Sequence, residues 1–121
     1  LKTKLYNLLI IEDNSFIGKN LINASKKINT INRISIATSL KEANLLLNDS
    51  DFDIIILDLK LPDGNGIKIL KELKEKNKKT KVFVFSISKE LKQLCLKYGA
   101  LAFYDKSKDF DKLIGAIKKV K

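Results

Sequence analysis

The chain has 121 residues, 45% of them apolar, and carries a formal net charge of +10 with no histidine and one cysteine. That length suits one domain around one core and is too short for two. The lone Cys95 excludes an internal disulfide and fits a reducing cytoplasm, the lack of histidine excludes a structural zinc site, and no apolar run is long enough to span a membrane.

Apolar runs alternate five times with helix-period segments, the pattern of a doubly wound α/β domain. The predicted strands are Tyr6–Ile11, Arg33–Ala37, Ile54–Leu57, Lys81–Phe85 and Ala102–Tyr104. The first predicted helix carries Ile17, Leu21, Ala24 and Ile28 at helical spacing, and the second Leu40, Ala43 and Leu47. Ile67, Leu70 and Leu73 predict a third, Leu91, Leu94, Cys95 and Tyr98 a fourth, and Leu113, Ala116, Ile117 and Val120 a fifth. Ser39 with Glu42 forms a capping-box pattern, Gly99 suits a left-handed helix end, and Asp109 suits an N-cap. Strands one, three and four are apolar on consecutive residues, as expected where both faces are covered, whereas Ile34-Ser35-Ile36 alternates like an edge. The short fifth strand suits the other edge. Together these features predict strand order 2-1-3-4-5, with its switch point between strands one and three.

Acidic residues end those two strands. Glu12 and Asp13 follow Leu8-Leu9-Ile10-Ile11, and Asp58 follows Ile54-Ile55-Ile56-Leu57 just before a Pro/Gly turn. Three carboxylates at one sheet edge repel one another unless a cation lies between them. Oxygen donors alone point to Mg²⁺, which keeps part of its water shell. The net charge is another matter. All basic residues but Arg33 are lysine, and they are scattered over several segments. They read as solvated faces, without the clustered arginine and stacking aromatics of a nucleic-acid reader, so no direct nucleic-acid binding is expected. The chain begins at Leu1-Lys2-Thr3-Lys4, which has no secretion-signal pattern, and it contains no methionine. It therefore reads as a processed or excised piece of a longer protein, expected in the cytoplasm.

The acidic pair Glu12-Asp13, the run Leu57-Asp58-Leu59-Lys60-Leu61-Pro62-Asp63, Gly66, Ser86 at the end of strand four and Lys106 after strand five resemble the receiver domain of two-component response regulators. The resemblance runs from Tyr6 to Val120, and the stretch from Lys106-Ser107-Lys108-Asp109 to Val120 is most similar to receivers that precede LuxR-type helix-turn-helix domains. It implies a flavodoxin-like (βα)5 fold for residues 1–121, a single receiver domain. It also implies that Asp58 is the phosphoacceptor nucleophile, taking a phosphoryl group from a histidine kinase or phosphotransfer protein. Asp13, Asp58 and the Lys60 backbone carbonyl would hold Mg²⁺, with Glu12 acting through water. Lys106 and Ser86 would contact phosphoryl oxygens, and Ser86 and Phe103 would form the switch that reshapes the face of helix four, strand five and helix five. A C-terminal output domain outside this chain, DNA-binding where the LuxR-type resemblance extends to it, and a homodimer on phosphorylation are the implied partners.

The chain departs from that family pattern at four points. Ser107 stands where many receivers have proline, and Ile87 where a small residue is usual. Lys60 and Ile87 flank the phosphorylation position and would tune access to it. The segment from Ser86 to Gly99 is about two residues short of the family pattern, within the output face. A haloacid-dehalogenase-type phosphohydrolase would need a second acid two residues after the nucleophile, where Lys60 stands, so the chain is not read as an enzyme acting on other substrates. A degenerate receiver, working as a phosphorylation-independent interaction module, is the alternative.

Overall fold

The computed structural model describes residues 4–121; the sequence reading of residues 1–3 lies outside that range. Five parallel strands form the sheet: β1 (Tyr6–Ile11), β2 (Ile31–Ala37), β3 (Ile54–Leu57), β4 (Lys81–Ser86) and β5 (Ala102–Asp105). Their order is β2-β1-β3-β4-β5, the flavodoxin-like topology expected, with β2 and β5 at the edges. The observed β2 begins two residues before the predicted one, while β4 and β5 each run one residue further.

Helices α1 (Ser15–Lys26), α2 (Leu40–Asp49), α3 (Ile67–Glu75), α4 (Lys92–Lys97) and α5 (Phe110–Lys118) cover the two faces. Alternation along the strands divides the core. Leu8, Ile10, Ile54, Ile56, Phe83 and Phe85 pack toward α1 and α5, against Leu21, Leu113, Ile114 and Ile117. Leu9, Ile11, Ile55, Leu57, Val82 and Val84 pack toward α2, α3 and α4, against Ala43, Leu70 and Cys95. Because consecutive residues of β1, β3 and β4 serve opposite faces, unbroken apolar runs are what a sheet sandwiched by helices requires. Each fully buried aliphatic side chain contributes about 1.5–3 kcal/mol by leaving water.

Local chemistry explains several element boundaries. The Asn14 side chain caps α1 by accepting from Ile17 N–H at 3.0 Å. Ser39 caps α2 through Glu42 N–H at 3.1 Å, but the Glu42 carboxylate turns to the Thr38 N–H and hydroxyl, so only half of the expected capping box forms. Gly99, at φ +96°, ends α4 as read from the sequence, and the next N–H, of Ala100, donates to the Cys95 carbonyl at 3.0 Å.

Two expectations need correction. Asp109 stands at the N-terminus of α5 but makes no side-chain cap; its carboxylate accepts from Asp105 N–H at 3.0 Å instead. Leu94 is 37% exposed, because α4 has only six residues and is entered through a 3₁₀ turn at Lys89–Leu91. One small element was not anticipated: Lys60–Leu61 and Gly64–Asn65 pair antiparallel around Pro62-Asp63. Among the described residues, no helix is long and apolar enough to cross a membrane.

Candidate functional site

The parallel register brings the strand ends to one level. Ile11 pairs with Leu57, Leu57 with Val84, and Ser86 with Asp105, so the residues that follow lie along one edge. The ladder also runs one step past the strands. Asp58 N–H donates to the Ile11 carbonyl at 2.9 Å, and Lys106 N–H to the Ser86 carbonyl at 3.1 Å. Backbone pairing thus fixes the base of Asp58 and Lys106 independently of their side-chain contacts.

The carboxylates of Glu12, Asp13 and Asp58 each bring an oxygen within 4.8 Å of the others. Glu12 and Asp58 are almost wholly buried, at 2% and 4% exposure, whereas Asp13 is exposed. The Lys106 ammonium reaches into this group, 2.6 Å from Glu12 Oε1 and 2.8 Å from Asp58 Oδ2. Glu12 Oε2 also accepts from Asn14 N–H at 3.0 Å, so both oxygens of Glu12 are engaged. Burial pushes the Glu12 carboxyl above its ordinary value, a tendency its bonds to Lys106 and Asn14 only partly offset. Burial also works against the Lys106 ammonium, but hydrogen bonds to Asp58 and Glu12 outweigh it and hold the amine above its ordinary value.

One ammonium among three carboxylates leaves an uncompensated negative charge beside a cleft. The cleft is open to solvent, with Asp13, Asp58, Lys60, Pro62, Ile87 and Lys106 in its wall. The donors are all oxygens, two of them held in place by burial, and this set suits a hard divalent cation.

Gly66 brings the start of α3 against this centre. A Cβ there would lie 2.4 Å from the Asp58 carbonyl oxygen and 3.2 Å from Leu59 Cα, so only glycine allows the approach. Gly66 N–H donates to the Leu59 carbonyl at 2.8 Å, closing the loop after Asp58. Across the loop, Asp63 accepts from the N–H groups of Leu40 and Lys41 at 2.8 and 3.0 Å, tying it to the start of α2.

The remaining sequence-predicted residues lie at varying distance from this centre. Ile87 stands in the cleft wall at 56% exposure, and Lys60 is exposed in the same wall. Ser86 is completely buried, does not line the cleft, and accepts from Ser88 N–H at 3.1 Å. Phe103 is half-buried against the core on the α2–α4 side, the face to which Ser86 also points.

Sequence reasoning passed over Asp105. This carboxylate is 6% exposed, and one oxygen accepts from Ser107 N–H at 2.9 Å and from its hydroxyl at 2.7 Å. The Ser107 bonds, hydroxyl first, hold the Asp105 carboxyl down at about 2. Its sequence signal was present: Asp two residues before Ser at a strand end is a side-chain turn pattern.

Comparison with known proteins agrees with this architecture. The family model described as the response regulator receiver domain matches residues 8–118. The chain is 30% identical over 115 residues to the transcriptional regulatory protein MalR of Bacillus subtilis, an alignment covering 93% of this chain and 49% of that protein. It is 29% identical over 115 residues to the nitrate/nitrite response regulator NarL of Escherichia coli, covering 91% and 52%. The chain thus spans about half the length of these curated relatives. Among solved structures, a Francisella response regulator receiver domain superposes with TM-score 0.79 at 31% identity, covering 93% of each chain. A LuxR-family DNA-binding response regulator from Staphylococcus aureus has the same fold, with TM-score 0.85 at 21% identity over 95% of this chain and 98% of that one. From its fold, its strand-end residues and these matches, the chain belongs to the response regulator receiver family of two-component signalling.

Proposed function

We propose that residues 1–121 act as one phosphoacceptor unit and that Asp58 is the residue phosphorylated. The observation that carries this reading is the meeting of Asp58 with Glu12, Asp13 and Lys106 at the carboxyl edge of the sheet, beside an open cleft. A carboxylate oxygen of Asp58 attacks phosphorus of a phosphohistidine on a sensor kinase or phosphotransfer protein. The O–P bond forms as the P–N bond breaks, and the electron pair leaves with the imidazole nitrogen. Asp13, Asp58 and the Lys60 backbone carbonyl are the groups that would hold Mg²⁺. Glu12 would contribute through water, which fits both of its oxygens being already bonded. When bound, the ion offsets negative charge on the phosphoryl oxygens.

Lys106 then exchanges its contact with the Asp58 carboxylate for one with a phosphoryl oxygen, as a mobile point charge can. Ser86 Oγ accepts from Ser88 N–H, so its own proton is available to donate to a second oxygen. Drawing Ser86 toward Asp58 opens space on the α4 side of the sheet, into which the half-buried Phe103 ring turns. The face of α4, β5 and α5 changes shape as a result and controls dimerisation or an output segment outside this chain. The roughly twofold length of the curated relatives, one of which is named a transcriptional regulator, supports such an output segment. Ile87 and Lys60 in the cleft wall limit how fast donors and water reach the phosphoryl group.

The test is beryllofluoride binding, followed by NMR on ¹⁵N-labelled protein. Saturable, Mg²⁺-dependent shifts of the Asp58, Ser86, Ile87 and Lys106 amides are expected. A spectrum unchanged at millimolar beryllofluoride with Mg²⁺ would overturn the reading and favour a phosphorylation-independent interaction module.

A further inference from the structure

We infer that Asp105 is a positioning residue for Lys106: its carboxylate clamps the turn that aims the ammonium at Asp58. This deepens the proposed phosphoacceptor reading and rests on it for its functional consequence.

The argument starts from the backbone on either side of Lys106. Its own N–H is held by the Ser86 carbonyl at 3.1 Å, and the next N–H, of Ser107, by Asp105 Oδ1 at 2.9 Å. With both flanking peptide groups fixed, the dihedral angles of Lys106 are fixed, and with them the direction of its Cα–Cβ bond. The Ser107 hydroxyl donates to the same Oδ1 at 2.7 Å, and the Asp105 carbonyl accepts from Asp109 N–H at 2.8 Å and Lys108 N–H at 3.2 Å. The Asp109 carboxylate returns a bond to Asp105 N–H at 3.0 Å, closing the base of the turn.

Aim matters because a lysine stem is a long lever. A backbone swing of about 30° moves an ammonium about 6 Å from its Cα by about 3 Å, more than a hydrogen bond tolerates. Lys106 must satisfy two carboxylates at once, at 2.6 and 2.8 Å, at the end of a flexible four-carbon stem.

The second carboxylate oxygen has a different environment. Asp105 Oδ2 is buried, has no hydrogen-bond partner among the described residues, and lies 3.3 Å from the Lys89 ammonium, which is itself 69% exposed. A largely solvated ammonium is a weak anchor. The two bonds from Ser107 are therefore assigned the clamping role.

The two faces of the carboxylate are separable by substitution. Asp105→Asn keeps an oxygen acceptor for Ser107 but loses the charge facing Lys89, whereas Asp105→Ala loses both. Ser107→Ala loses the hydroxyl bond and keeps the N–H.

Lysine side-chain ¹⁵N NMR on the metal-free protein tests the aim of Lys106 without any phosphoryl chemistry. Wild type and Asp105→Asn should show a slowly exchanging Lys106 ammonium. Asp105→Ala should lose that protection, and Ser107→Ala should lie between them. A Beryllofluoride titration in Mg²⁺ then tests the consequence. Asp105→Ala should bind about tenfold more weakly, Asp105→Asn like wild type, and Asp105→Ala should add no further loss in a Lys106→Ala background. Mg²⁺ affinity should not fall, since the cation no longer competes with a well-placed ammonium.

Several results would overturn the clamp: an unchanged Lys106 signal in Asp105→Ala, Asp105→Asn behaving like Asp105→Ala, or an equal loss when Lys106 is already absent. If Asp105→Ala does not fold, an unchanged Lys106 signal in Ser107→Ala would overturn it. If wild type itself takes no beryllofluoride, the phosphoacceptor reading fails, while the clamp still stands or falls on the lysine signal.

Discussion

Replacing Lys106 with methionine isolates the charge at the centre of the site, because the apolar stem keeps most of its volume. Lys106 contacts Glu12 at 2.6 Å and Asp58 at 2.8 Å, with only 14% of its side chain exposed. Removing one member of a buried ion pair costs about 3–5 kcal/mol, because the other charge stays behind. Protonation sets a ceiling on that loss. Holding a proton at pH 7 on a carboxyl of ordinary value 4.5 costs about 3.4 kcal/mol, and the protein can neutralise Glu12 rather than bear more. A loss of about 3 kcal/mol in a 121-residue domain lowers Tm by about 12 °C. Mg²⁺ supplies a replacement charge, and at 100 times its Kd it returns about 2.7 kcal/mol. Calorimetric melting in chelator and across a Mg²⁺ titration should therefore show Lys106→Met well below wild type without the ion and close to it at saturation. Wild type should gain less, because its Lys106 ammonium already offsets part of the negative charge that the cation neutralises. A variant as stable as wild type in chelator, or an equal Mg²⁺ response from both proteins, would refute this reasoning.

Three further outcomes are expected. Gly66→Ala would drive a Cβ to 2.4 Å from the Asp58 carbonyl oxygen. Overpacking of this kind costs about 1–3 kcal/mol, so Tm should fall by about 4–12 °C; an unchanged Tm would show that the loop yields freely. Ile87→Ala, which trims the exposed wall of the cleft, should speed both labelling by acetyl phosphate and loss of the label by a few-fold; unchanged rates would remove Ile87 as a barrier to access. The Asp105 carboxyl is held at about 2 in the folded chain against an ordinary value of 3.8. Its stabilising contribution is thus complete above about pH 4 and lost as pH falls through about 2. The stability difference between wild type and Asp105→Asn in acid denaturation should shrink across that window, and a difference constant from pH 4 to 2 would contradict the assignment.

The sequence carried the fold wherever burial repeats over several residues. Ile54-Ile55-Ile56-Leu57 before a Pro/Gly turn reads as a strand covered on both faces, with Asp58 after it at the edge, and the structure has both there. Glu12, Asp13 and Lys106 were legible for the same reason: each follows a strand whose end is sharply marked. What escaped depends on choices among several nearby partners. Glu42 had two N–H groups and a hydroxyl in reach and took those of Thr38, and Asp109 took the N–H of Asp105 rather than one in its own helix. Leu94 pointed outward because a six-residue helix is too short for a full apolar stripe to face the core. Burial of Ser86 away from the cleft depends on how the loop after β4 folds back through Ser88, and nothing in local composition specifies that.

The central claim is that Asp58 accepts a phosphoryl group. Its most direct test is intact-mass spectrometry after incubation with acetyl phosphate, with and without Mg²⁺, on wild type and Asp58→Ala. The account predicts a single phosphoryl adduct on wild type that requires Mg²⁺ and is absent from the variant, with both proteins folded. An adduct of equal yield on Asp58→Ala, or none on wild type under any condition, would contradict it.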